Sequence, residues 1–364
     1  MKRRAFARST ALGALASTVA APAVAQSSPA VNWRLVSSFP KTLTISYDAC
    51  VGFVKRVAEL TEGRFQIKLF GPGEIVPAFQ VLDAVQNGTV EAGFTASYFY
   101  VGKDPTFGFA TALPFGLNTR QQNAWMLRGD GLRLNNEFFR AYNVSYVPMG
   151  LTGAQMGGWF RKEIKSREDL KGLKMRIGGL AGEIMSRLGV IPQSIPAGDV
   201  YPSLERGSID AVEYVGPFDD EQLGLHRVAK YYYYPGWWEG SVQVGNFVGL
   251  EKWNALPPLY RAAFVAAATE AQDLILAGYD ALNGAALRRL VAKGTELRPF
   301  PREVMVQAYE VAFAYYDELA AKNDKFKTIY DNWKAFGADV LPWYQLAEGT
   351  YDNFVYAEYS KRNR

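Results

Sequence analysis

Four side chains, well separated along the chain, carry the chemistry this sequence can offer: Gln155, Arg176, Glu213 and Glu239. Arg176 ends the stretch Gly172-Leu-Lys-Met-Arg176 and is followed by Ile177-Gly-Gly179. Locally, residues 173–177 read as a short strand, Gly178-Gly179 as a sharp corner, and Ala181 onward as a helix. Such a corner leaves backbone N–H groups free at a helix start, where an anion is favoured. A guanidinium beside it is a planar, two-pronged donor matched to a carboxylate. The plainer alternative is an exposed strand arginine in a surface ion pair. Gln155 brings an amide donor and a carbonyl acceptor in the glycine-rich segment 152–161, although an exposed strand glutamine would look the same. Glu213 and Glu239 would repel a bound organic acid. A cation between them removes that conflict, because hard cations take oxygens from carboxylates, amides, backbone carbonyls and the substrate. Two solvated glutamates are the alternative.

The set describes binding rather than reaction. His226 is the only histidine, which excludes histidine-dependent triads and multi-histidine metal sites. The sequence has no G-x-S-x-G elbow, phosphate loop or C-x-x-C pair. Gly178-Gly179-x-x-Gly182 falls short of a dinucleotide-binding turn.

Lys2, Arg3, Arg4 and Arg8 precede a small, apolar stretch at 11–21 and Ala23-Val-Ala25, the pattern of an export leader over residues 1–25. Arg3-Arg4-x-Phe6 resembles a twin-arginine signal, so the mature chain is expected in the periplasm. The whole chain has 40 Lys+Arg and 36 Asp+Glu; without the leader's four basic residues, 36 of each sign remain. That balance gives no reason to expect nucleic acid or an anionic membrane as partner. Cys50 is the only cysteine, so no intrachain disulfide is expected. The 339 residues after the leader are enough for two lobes with separate cores.

The elements that must position the four side chains alternate. Strands at 33–38, 64–70 and 90–95 and helices at 46–60 and 78–86 predict an α/β sheet. An internal echo links Val85-Gln-Asn-Gly-Thr-Val-Glu-Ala92 with Leu204-Glu-Arg-Gly-Ser-Ile-Asp-Ala211. Both read as helix end, left-handed glycine cap at Gly88 or Gly207, then strand entry. Aligning the glycines sets Phe94-Thr95 opposite Glu213-Tyr214, as if matching strand ends faced a shared cleft. The run Tyr231-Tyr-Tyr-Tyr-Pro-Gly-Trp-Trp-Glu-Gly240 reads either as an edge strand and turn on a core or as an aromatic cavity wall. Residues 257–293 are expected to be helical, with Ile275, Tyr279, Leu282, Ala286 and Leu290 as a buried stripe and Gly278 and Gly284 as points of bending. The tail from Leu341 sets Tyr344, Ala347, Tyr351 and Phe354 on one face, which docks on its own lobe or on a second subunit.

These stretches, with Trp33-Arg-Leu-Val-Ser-Ser-Phe39, Gly102-Lys-Asp-Pro-Thr-Phe107, Gln155-Met-Gly-Gly-Trp-Phe-Arg161 and Glu213-Tyr-Val-Gly-Pro217, resemble the DctP-type solute-binding proteins of TRAP transporters. The likeness is to the subgroup that binds monocarboxylate 2-oxoacids such as pyruvate. It implies an α/β, two-lobed periplasmic solute-binding fold with a cleft between the lobes, a long inter-lobe helix and a C-terminal dimerisation helix. The lobes would take residues 30–151 plus about 246–270 and residues 152–245 plus about 285–335, leaving 336–364 as a tail exchanged in a homodimer. Arg176 would grip the substrate carboxylate. A bound cation, sodium in preference to calcium, would be held by Gln155, Glu213, the carbonyl of Tyr214, Glu239 and substrate oxygens. Tyr98 and Tyr100 match an aromatic loop near the ligand, whereas Tyr214 stands where the family pattern has tryptophan. The partners implied are a small organic monocarboxylate and the small and large TRAP membrane subunits. Competing readings are a lactate-like 2-hydroxy acid receptor, the binding protein of an ABC importer or sensor, and an exported metal-dependent 2-oxoacid enzyme.

Overall fold

The computed structural model describes residues 29–362, so the expected leader lies outside the described residues. In chain order the strands are β1 Val31–Ser37, β2 Phe65–Phe70, β3 Ala92–Thr95, β4 Val144–Leu151, β5 Gly158–Phe160, β6 Lys174–Arg176, β7 Ile191–Gln193, β8 Ala211–Val212, β9 Tyr231–Tyr234, β10 Gln243–Gly249 and β11 Glu296–Pro299. They form two sheets, ordered β2-β1-β3-β10-β4 and β11-β9-β5-β8-β6-β7.

The two orders run in parallel. β1 pairs parallel with β2 and β3, and β6 pairs parallel with β7 and β8. β10 then lies antiparallel to β3, and β5 antiparallel to β8. Each of these antiparallel strands adjoins a chain crossing, because the chain passes from β4 to β5 and returns from β9 to β10. The internal echo is therefore structural. Gly88 and Gly207 close the helices Val81–Gln86 and Ala197–Glu205 at φ +71° and +73°, in the left-handed region open to glycine. β3 and β8 follow at equivalent places in the two sheets.

A third connection is the 35-residue helix Pro258–Ala292. It packs on the helix Thr44–Leu60, on β4 and on the helix Pro217–Gln222 before the chain enters β11. It runs unbroken through the glycines expected to bend it. At Gly278 an added Cβ would meet Ile45 at 3.3 Å, so glycine serves close helix approach there. Ile275, Tyr279, Ala286 and Leu290 are buried as the stripe predicts, but Leu282 is 40% exposed. Spacing keeps Leu282 on the same face, so its exposure reflects what lies opposite it and not the helical phase.

The helix Arg302–Lys322 packs on Gly179–Arg187, and Asp324–Tyr344 packs on Gly131–Phe139 and Thr119–Arg128. Residues 324–335, expected with the second lobe, thus lie against helices that follow the first three strands of the first sheet. Phe109 against Phe326 at 4.8 Å and Trp125 Nε1 donating to Asn332 at 2.8 Å fix that contact. A π turn at Gln345–Gly349 leads into the helix Thr350–Arg362, which has no buried residue. The aromatic face docks on its own lobe only at its start, where Arg120 lies over Tyr344 and pairs with Glu348. Tyr351 and Phe354 stand 68% and 69% exposed.

Gly158, at φ +88°, has no room for a Cβ, which would lie 2.4 Å from the Val212 carbonyl. Gly158→Ala should therefore cost about 2–4 kcal/mol by urea unfolding. Gly172→Ala, at φ +73° with open space around it, should cost only about 1 kcal/mol. Equal losses would show that the close approach of β5 to β8 does not matter.

Candidate ligand and cation site

The carboxyl ends of β3 and β8 converge on one cavity, as ligand sites do in open α/β sheets. Ala96, Tyr98 and Phe99 wall it from the first sheet, and Arg176, Tyr214 and Val215 from the second. The crossings contribute Thr152, Gln155 and Val242. Its free volume of about 40 Å³ suits one very small ligand.

Arg176 ends β6, buried at 3% exposure. A buried guanidinium needs partners. Nε donates to the Ile195 carbonyl at 3.2 Å, and Nη1 donates to the Glu213 carbonyl and, at 2.8 Å, to Glu213 Oε2. Nη2 takes no part in these bonds, and the guanidinium carbon lies 5.3 Å from the Tyr214 ring centre. The expected carboxylate clamp is thus already half engaged by the protein's own carboxylate. The glycine corner does a second job beside the expected anion seat, in which the Gly178 N–H favours the Glu213 carboxylate. The helix begins at Gly179 with φ +61°, and a Cβ there would lie 2.4 Å from the Tyr98 ring. The corner exists so that Tyr98 can press against it.

Glu213 and Glu239 are buried at 0% and 2% exposure, and Gln155 at 6%. Gln155 gives its amide to Thr152 Oγ1 at 3.0 Å, and its backbone N–H meets the Glu239 carbonyl at 3.3 Å. Gln155 Oε1, Glu213 Oε1 and Glu239 Oε2 are buried with no hydrogen-bond partner. Among the described residues the Tyr214 carbonyl accepts no backbone hydrogen bond outside helices and strands. Buried acceptors without donors are costly, by about 1–3 kcal/mol each, unless something positive meets them. An oxygen-preferring cation fits this donor set. Burial holds the Glu213 carboxyl up at about 7, against the pull of Arg176 and with the push of Asp220. Burial, then the Glu213 charge, holds Glu239 well above the usual carboxylate range.

The fold therefore brings together Gln155, Arg176, Glu213, Tyr214, Glu239 and Tyr98. Tyr100 is placed elsewhere: its hydroxyl accepts from the Leu82 N–H at 3.1 Å and sits beside Thr95, inside the core and off the cavity wall. The aromatic run is also scaffold. Tyr232 stacks on Trp159 at 4.1 Å and Trp237 on Phe115 at 4.8 Å. β9 lies inside its sheet between β11 and β5, not at an edge. None of residues 231–238 lines the cavity; the run's contribution is to bury Glu239. Sequence reasoning missed Asp219, a buried acid on the cavity wall. Its place directly after the segment Glu213-Tyr-Val-Gly-Pro217 was the available signal.

Two sheets joined by shared crossings, enclosing a small charged chamber, define a solute-binding receptor. The family of bacterial extracellular solute-binding proteins, family 7 (DctP), matches residues 36–323, and the chain belongs to that family. It is 51% identical over 327 residues, 90% of each chain, to a monocarboxylate 2-oxoacid-binding periplasmic protein of Nostoc. A TRAP transporter solute-binding protein of Bordetella bronchiseptica, a dimer of mixed occupancy with copurified calcium and picolinate in its active site, superposes with TM-score 0.90. It is 48% identical, with 92% of this chain and 99% of that one covered. One from Pseudoalteromonas atlantica, with bound sodium and pyruvate, gives TM-score 0.86 at 35% identity, covering 89% and 98%.

Burial also raises Asp219 to about 7 and Asp220 to about 6. Carboxyls raised on folding stabilise the fold only while protonated. Cation-free protein should lose stability as pH climbs from about 4.3, where an unfolded glutamate ionises, through about 7. Melting in chelated, sodium-free buffer should be several degrees lower at pH 8 than at pH 5.5. Added calcium should raise the melting point more at pH 8 than at pH 5.5. A flat profile would contradict this account of the acid pair.

Proposed function

We propose that this chain is the periplasmic receptor of a TRAP transporter, capturing a small monocarboxylate 2-oxoacid of the pyruvate type for its small and large membrane subunits. The observation that carries this reading is the set of three orphaned, buried oxygens, on Gln155 in the cavity wall and on Glu213 and Glu239 behind it, around buried Arg176. Gln155, Glu213, Glu239 and the Tyr214 carbonyl would hold the cation, sodium or calcium. The cation supplies positive charge for the substrate's carboxylate and 2-oxo oxygens. Arg176 fixes the carboxylate through the arm that Glu213 does not occupy, and Tyr98 closes the wall above the glycine corner.

Exclusion of water strengthens every one of these charge contacts, so lobe closure and ligand capture are one event. The two lobes would be built on the two sheets, with the helix that begins at Asp324 resting on Thr119–Arg128 and Gly131–Phe139. The exposed aromatic face from Leu341 onward then serves exchange with a second copy. Binding is favoured over catalysis by the state of the acids: Glu213 is engaged by Arg176, and His226 does not line the cavity.

Calorimetric titration of the mature protein with pyruvate and with lactate, in sodium, in calcium and in chelator, tests the reading. Pyruvate should bind saturably and weaken at least about tenfold when cations are removed. Arg176→Lys keeps the charge but loses the planar fork, and should weaken binding by about 1.5–3 kcal/mol. Glu239→Gln should reduce the cation dependence. Stronger lactate binding would move the substrate to the 2-hydroxy acids. No binding of either acid would sink the site.

A further inference from the structure

Two buried acids stand side by side in the helix Pro217–Gln222, and they are satisfied very differently. Asp220 Oδ2 accepts from Trp159 Nε1 at 2.9 Å and from the Tyr232 hydroxyl at 2.6 Å, and Oδ1 accepts from the Val215 N–H at 3.4 Å. Asp220 is a structural tie between β5, β9 and the segment after β8. Asp219 is 1% exposed and lines the cavity. Its Oδ2 accepts from the Tyr279 hydroxyl at 2.8 Å, and that hydroxyl lies 3.1 Å from Ser46 Oγ. Its Oδ1 has no partner.

All three side chains of this relay line the same cavity as Arg176. They come from three different elements: Ser46 from Thr44–Leu60, Tyr279 from Pro258–Ala292, and Asp219 from the short helix after β8. Tyr214 spans the gap to the arginine. Its ring lies beneath the guanidinium, and among the charges acting on its hydroxyl Asp219 is the strongest. The cavity therefore has two polar places, one at Arg176 and one at Asp219. Between them the wall is apolar, with Phe39, Leu43, Val215 and Ile275.

An unadorned 2-oxoacid would leave Asp219 Oδ1 buried and unmet, at the cost any orphaned acceptor carries. A hydroxyl is the smallest group that meets this oxygen in either protonation state, since it donates to a carboxylate and accepts from a carboxylic acid. We propose that Asp219, held by Tyr279 and Ser46, is a second polar subsite that receives a hydroxyl on the far carbon of the ligand, so that the preferred ligand is a hydroxylated 2-oxo monocarboxylate. This rests on the reading of the cavity as a 2-oxoacid site.

The test is calorimetric titration of the mature wild-type protein, in calcium-containing buffer, with two matched pairs: pyruvate against 3-hydroxypyruvate, and 2-oxobutyrate against 4-hydroxy-2-oxobutyrate. The hydroxylated member of at least one pair should bind about tenfold tighter, the scale of one good buried hydrogen bond. Asp219→Leu should abolish that preference and leave the plain acid bound at least as well as before. Should that variant fail to fold, Tyr279→Phe, which frees Asp219 from its only donor, should cut the preference at least threefold. Plain acids bound as tightly as their hydroxylated partners by the wild type, or a preference that survives Asp219→Leu, would overturn the subsite. Failure of all four acids to bind would instead remove the 2-oxoacid reading itself, and the subsite with it.

Discussion

The buried pairing of Arg176 with Glu213 is the constraint on which the rest of the site depends. A guanidinium removed from water must be neutralised, and Glu213 does this with one carboxylate oxygen and its own carbonyl. That commitment fixes the end of β6 against the segment leaving β8. It also leaves Glu213 Oε1 buried without a hydrogen-bond partner. With Gln155 and Glu239 contributing further unmet oxygens, the site has an excess of buried negative character beside one satisfied cation. Such an arrangement is unfavourable as it stands and favourable around a second cation. The fold thus carries a destabilised chamber whose relief is ligand capture, the usual location of stored strain at functional sites.

Much of this was legible in the sequence because it is local or periodic. The strand–glycine–glycine–helix corner at Arg176 formed where its residue types placed it, and the paired glycine caps at Gly88 and Gly207 marked two equivalent strands in two sheets. What the sequence hid was set by tertiary contact. The corner glycines read as an anion seat, and nothing in their sequence shows that the space they save is filled by Tyr98. The tyrosine run looked like an edge or a cavity wall, yet β11, from beyond the long helix, covers β9 and makes it interior. Tyr100, two residues from Tyr98, turns into the core because a 3₁₀ turn at Ser97–Tyr100 points the two side chains apart. Asp219 escaped notice because its role depends on a hydroxyl 60 residues away in sequence, on Tyr279.

The tail shows how the same residues can satisfy one rule and break another. Aromatic residues at helical spacing predict a buried face, yet the π turn at Gln345–Gly349 shifts the helical phase. Its later residues turn away from the body of the chain. An amphipathic helix projecting without cover is stable only if another surface takes up its apolar side.

The placement of two site residues on the crossings has a mechanical meaning. Gln155 and Glu239 belong to the strands' connecting segments, and those segments are tied to each other: Thr152 N–H to the Val242 carbonyl at 3.1 Å, Gln155 N–H to the Glu239 carbonyl at 3.3 Å, and Gly236 N–H to the Gln155 carbonyl at 3.0 Å. An ion held by Gln155 and Glu239, as proposed above, would be held by the two tied crossings themselves. Its arrival would then add cross-links to the same two strands of chain that join the sheets, so occupancy would be felt as stiffness between them.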